Sequence, residues 1–153
     1  MFRKAFLAVL VAAALVSLAF AAPDFSGKWA LNKDQSQMRT RDGATPDITL
    51  TVEQTAETLK VKQESSMDYM NREYTLKLNG EPTEVPGRRG PQKMTAAWEG
   101  DVLVVTTVRE FDGNTMTSTD RWQLSADGKV LTVDGKRQTP GGDFESKMVY
   151  EKQ

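Results

Sequence analysis

The sequence predicts an all-β fold, a single up-and-down antiparallel β-barrel of about eight to nine strands with little helix beyond an N-terminal leader. Three observations predict it. Apolar and polar residues alternate with a period of two through most of the chain after residue 21. Asn-Gly, Asp-Gly and Gly-Asp pairs fall between the alternating runs, and such residues tolerate the positive φ of tight turns. Most runs follow the last at hairpin distance, and a meander of this many strands closes on itself to remove its edges.

The chain opens with a leader. Arg3 and Lys4 precede the apolar stretch "AFLAVLVAAALVSLAF", and Ala19-Phe20-Ala21 is a small-x-small cleavage site. The expected division is a signal peptide over 1–21 and a barrel domain over 22–153, exported to the periplasm or secreted. An uncleaved anchor is the competing reading, but a span needs ~20 apolar residues and this run is shorter. The mature domain would carry no membrane span. Loss of Arg3 and Lys4 leaves 18 Lys and Arg against 21 Asp and Glu, a net −3.

The strands follow in order. "GKWALN" sets Phe25, Gly27, Trp29 and Leu31 on one face. "DITLTVEQ" sets Ile48, Leu50 and Val52 against Thr49, Thr51 and Glu53, and "TLKVKQ" sets Leu59 and Val61 against Lys60 and Lys62. "REYTLKLN" aligns Tyr74, Leu76 and Leu78; "KMTAAWEG" aligns Met94, Ala96 and Trp98. "DVLVVTTVRE" is apolar on both faces; "TSTDRWQLS", "KVLTVDGK" and "FESKMVYEK" carry Trp122 and Leu124, Leu131 and Val133, and Phe144, Met148 and Tyr150. Two connections are longer. Lys33–Pro46 has room for one helical turn near Asp34–Ser36 but no apolar stripe. Asn79–Gln92 holds three Pro and three Gly and is expected to be a loop rather than an element.

Composition excludes much chemistry. The chain has no His and no Cys. Ser-His-Asp and Cys-His triads, His/Cys zinc sites and lipoprotein acylation are therefore absent. No metal or cofactor is expected. The mild acidity argues against a nucleic-acid partner, which selects a strongly basic face. Carboxylates lie mainly on outward faces and turns, without an inward pair for hydrolysis, so no enzyme activity is expected.

Gly27-Lys28-Trp29 on the first strand resembles the Gly-x-Trp signature of lipocalins. With "AAWEGDVLVV" and "RWQLSADGKVLTV", the opening "DFSGKWALNKDQS" resembles a group of small secreted bacterial lipocalin-like proteins. The resemblance implies a calycin-type barrel and a small apolar or amphipathic ligand in its lumen. Gly27, Trp29, Trp98 and Trp122 would be its structural signature, with Trp29 closing one end. Intracellular fatty-acid-binding proteins share the opening, and their last strand carries an Arg-x-Tyr pair for the ligand carboxylate. Here Tyr150 matches the Tyr, and Met148 stands where that family has Arg.

Alternation also nominates lumen residues. Arg72 shares the face of Tyr74 and Leu76, Asp120 that of Trp122, and Arg109 that of Leu103 and Val105. A charge inside a barrel must pair, meet water or meet a ligand. The candidate ligand-binding set is Arg72, Tyr74, Arg109, Asp120 and Tyr150. One reading makes Arg72 or Arg109 an anion anchor; the other makes an Arg72–Asp120 pair or charges that reach solvent from strand ends. Arg39, Arg41, Arg88 and Arg89 would form a cationic mouth if both long loops rim one end. The alternative to a carrier is a filled-barrel structural or interaction domain of the cell envelope. A lumen of ~300 Å³ or more favours the carrier.

Overall fold

The computed structural model describes residues 21–153. Residues 1–20, which carry the leader and all but the last position of its cleavage site, lie outside the described residues.

Ten strands form one antiparallel sheet: β1 Gly27–Leu31, β2 Ile48–Gln54, β3 Thr58–Ser65, β4 Arg72–Lys77, β5 Thr83–Gly87, β6 Gly90–Glu99, β7 Val102–Phe111, β8 Asn114–Leu124, β9 Val130–Thr139 and β10 Gly142–Lys152. Their order in the sheet is β4-β3-β2-β1-β10-β9-β8-β7-β6-β5. Every neighbour is a sequence neighbour except at β1, which pairs with β10 through Trp29↔Lys152 and Leu31↔Tyr150. The sheet curls into a barrel that is nearly closed. Its ends, β4 and β5, meet at one rim, where the Gly80 N–H donates to Ala96 O at 2.9 Å.

The nine alternating runs are all strands. The tenth, β5, corrects the expected count of eight to nine and the reading of Asn79–Gln92 as a loop. Proline is compatible with these strands because of where it sits. Pro86 lies on an end strand whose other side pairs with nothing. Pro91 is the second residue of β6, one before its pairing with β7 begins at Gln92. Helix is confined to one 3-10 turn, Asp68–Met70. Lys33–Gln35 is a turn and not a helix. Among the described residues, no helix is long and apolar enough to cross a membrane.

The alternation delivers one continuous interior. Leu50, Val52, Leu59, Val61, Leu76, Leu103, Val105, Leu131 and Val133 are all at most 3% exposed. One end is closed by aromatic rings. Phe25 and Trp29 are fully buried, and the Trp29 Nε1–H donates to Phe25 O at 2.9 Å. Phe25 stacks on Trp98 at 5.8 Å and meets the edge of Trp122 at 5.6 Å. Gln54 fastens this plug: its Oε1 accepts from the Phe25 N–H, and its Nε2 donates to Pro23 O. Gly27 runs at φ +135°, a conformation that L side chains rarely adopt, and a Cβ there would lie 3.0 Å from Lys152 Cε.

Candidate functional site

The opposite end of the barrel is where polar side chains face inward. Period-two alternation carries the inward face of each strand past its apolar residues to a polar one. On β3 the series Leu59, Val61 ends in Gln63; on β4 Leu76, Tyr74 ends in Arg72. On β7 Leu103, Val105 leads through Thr107 to Arg109, on β8 Trp122 leads to Asp120 and Ser118, and on β9 Val133 leads through Gly135 to Arg137. Cross-strand register joins them: Gln63 faces Arg72, Asp120 faces Gly135, and Ser118 faces Arg137.

Gln63 is the one buried polar side chain among the described residues. Both ends of its amide are used. The Nε2 donates to Met70 O at 2.8 Å, and the Oε1 accepts from Arg72 Nη2 at 3.2 Å. That bond, with the Tyr74 ring 5.7 Å from the guanidinium carbon, sets the direction of Arg72. Asp120 lies where β9 has no side chain. A Cβ on Gly135 would stand 2.8 Å from Asp120 Oδ1 and 2.5 Å from Ser146 Oγ.

Between Gln63, Arg72, Tyr74, Asp120, Met148 and Tyr150 lies a cavity of about 10 Å³, room for about one water. Leu50, Val61, Trp122 and Val133 supply its apolar wall. Burial pushes the Asp120 carboxyl above the usual range, and Arg72 and Arg137 pull it part of the way back. Burial likewise raises the Tyr74 and Tyr150 hydroxyls. The Arg109 guanidinium is lowered first by burial, then by the like charges of Arg137, Arg72 and Arg89.

Four of the five candidate residues, Arg72, Tyr74, Asp120 and Tyr150, line this cavity; Arg109 stands outside its lining, nearer the rim. Of the two readings of Arg72, the ion pair with Asp120 is not formed: neither residue is in an ion pair among the described residues. Arg72 spends its side-chain hydrogen bond on Gln63 instead. The signature residues Gly27, Trp29, Trp98 and Trp122 belong to the aromatic plug, with Trp122 reaching up as the cavity floor. Sequence reasoning passed over Gln63 and Arg137, although the parity of Leu59 and Leu131 pointed to both.

Above the cavity, both long loops bring arginines to the same rim, each over a ring. Arg39 lies 4.5 Å from the Phe144 centroid, Arg88 5.2 Å from Tyr69 and Arg89 4.8 Å from Phe111. Tyr69 and Phe111 are 45% and 42% exposed. The Lys33–Pro46 connection runs beside β10 at this end. Gln37 and Lys147 exchange two backbone hydrogen bonds of 2.7 Å. Among the described residues no group of three acidic, His or Cys side chains could hold a metal.

No family model and no curated protein matches the chain. Solved structures do match. The fluorescent protein UnaG is 18% identical, with a TM-score of 0.63 over 84% of this chain and 97% of that one. A "secretary abundant heat soluble (SAHS)" protein from Ramazzottius varieornatus is 14% identical, with a TM-score of 0.67 over 88% of this chain and 98% of that one. Lipid binding protein 8 of Caenorhabditis elegans is 14% identical, with a TM-score of 0.64 over 84% of this chain and 95% of that one. These likenesses establish the fold, a calycin-type, lipocalin-like β-barrel.

Proposed function

We propose that this chain is an exported binding protein of the small secreted lipocalin-like kind and not an enzyme. It takes a small apolar or amphipathic molecule at the arginine end of its barrel. The observation that carries the reading is the group of Gln63, Arg72 and Asp120 set above the apolar wall of Leu50, Val61, Trp122 and Val133. A few placed polar groups over an apolar surface are how ligand sites are built. The names of the structural neighbours agree: one is a lipid binding protein and another, 12% identical, a fatty acid transporter. The polar group of the ligand would rest on Arg72 and Arg109, because Met148 occupies the place from which an Arg-x-Tyr pair would act. An apolar tail enters by displacing Met148, whose unbranched thioether repacks easily.

The cavity volume favours a second reading. About 10 Å³ is far below the ~300 Å³ of an open ligand pocket, as in a filled-barrel interaction domain. Titration of solvent-extracted protein with a dansyl-labelled fatty acid separates the two. A carrier gives saturable binding with energy transfer from Trp122, and native mass spectrometry gives a one-to-one complex. A filled barrel gives neither, with this probe or with a neutral apolar dye. Export has its own test: N-terminal sequencing of the protein recovered outside the cytoplasm is expected to begin at Ala22, and a chain beginning at Met1 overturns it.

A further inference from the structure

We infer that the arginine end is built for a doubly charged oxyanion of the phosphomonoester class, held between Arg72, Arg109 and Arg137. The inference rests on the binding reading above and names the chemistry of its polar group. Register places the three arginines on one inward face at one end. Arg109 and Arg137 flank β8, opposite Met116 and Ser118, and Arg72 comes from the far side of the barrel on β4. One inward carboxylate, Asp120, accompanies these three guanidinium groups, leaving a net charge of about +2. A dianion neutralises it; a monocarboxylate leaves one positive charge uncompensated.

These arginines are not held by protein carboxylates. Among the described residues, five of the six ion pairs use lysines on the outer surface, and the sixth joins Arg121 to Glu99. None uses an arginine of this end. Arginine rather than lysine is the choice where planar N–H groups must meet an oxyanion two at a time. Arg72 gives one N–H to Gln63 Oε1 and has the Tyr74 ring 5.7 Å from its guanidinium carbon. Arg89 and Arg39, nearer the rim, lie against Phe111 and Phe144. Rings engage the flat face of a guanidinium and leave its in-plane donors for a ligand. Arg109 also feels the repulsion of Arg137, Arg72 and Arg89, a cost that a bound anion removes.

The test is calorimetry at low salt with four probes: dodecyl phosphate, laurate, dodecanol and inorganic phosphate. Dodecyl phosphate is expected to bind about tenfold more tightly than laurate, and more weakly as salt is added. Arg109→Met and Arg137→Met should each weaken it about fivefold or more, while Asp120→Asn strengthens it. Because Arg137 is exposed, its variant keeps the fold, and an unchanged melting temperature verifies this. Inorganic phosphate binding as tightly as dodecyl phosphate identifies a free phosphate as the source; binding only with the alkyl chain identifies a lipid headgroup. Laurate or dodecanol binding as well as dodecyl phosphate overturns the inference and leaves the carrier reading standing. Failure of all four probes overturns both.

Discussion

Trp29, Leu50, Gln63 and Arg72 are successive cross-strand partners on β1, β2, β3 and β4. Strands in a barrel are tilted, so a row of partners climbs the axis as it runs round the wall. This row leaves the aromatic end fully buried and reaches the arginine end exposed. Along it an indole gives way to an aliphatic chain, an amide and a guanidinium. At the foot of the row, side chains satisfy one another: ring on ring, indole N–H on backbone carbonyl. At its head they satisfy only part of their capacity, and Arg72 has one side-chain hydrogen bond for five N–H donors. Stability is concentrated where capacity is exhausted, and recognition is available where it is not.

Mutations at the two ends should therefore differ in kind. The largest expected effect is at the foot. Trp29→Ala removes a fully buried ring and its bond to Phe25 O, and is expected to cost ~3–5 kcal/mol in urea denaturation. A loss under about 1 kcal/mol would mean that the plug does not hold the barrel together. Gly135→Val is next. Its side chain must displace Asp120 and Ser146, an overpacking expected to cost ~1–3 kcal/mol. It should also disturb the cavity, which Trp29→Ala does not touch directly.

Arg72→Met at the head is expected to cost only about 1 kcal/mol, for the hydrogen bond to Gln63. In a double-mutant cycle with Asp120→Asn the coupling should be small, since the two residues form no ion pair. A loss of ~3–5 kcal/mol, recovered in the double variant, would instead reveal a buried pair and erase the contrast between the ends.

The smallest expected effect is a slope with pH. The Asp120 carboxyl is raised in the folded chain by burial. Between the ordinary aspartate value of 3.8 and the raised one, the folded chain keeps a proton that the unfolded chain has released. Stability therefore falls as pH rises through that interval. Asp120→Asn should flatten this descent and make the protein more stable than wild type near neutral pH, with the difference vanishing below the ordinary value. Equal slopes for the two proteins in pH-dependent melting would show that Asp120 is solvated like a surface carboxylate.

Much of this asymmetry was legible in the letters. Alternation alone assigned every strand but β5 and the inward faces of Trp29, Arg72, Arg109 and Asp120, because each strand has a buried and a wet side. Two kinds of information were not local. Pro86 forbids a central strand but not an edge one, and a sequence does not say which strand will be last in the sheet. The run "KVLTVDGK" stops at Lys136, whereas β9 continues to Thr139. Gly135 is there to admit Asp120 and Ser146 from neighbouring strands, a packing reason that only the register discloses. Ending the run at Lys136, one residue short, hid Arg137. The absent ion pair was invisible for a related reason: parity puts Arg72 and Asp120 in one lumen but says nothing of the distance across it.

The seam between β1 and β10 has a consequence in time. Apart from it, every pairing joins sequence neighbours, within two meanders, β1–β4 and β5–β10, whose contacts are local. The seam joins Trp29 to Lys152, and the backbone N–H of Gln153 donates to Lys28 O. Contacts this remote in sequence are the slowest to form. The barrel therefore has no closed form until β10 docks on β1, and until then the first strand has only one neighbour.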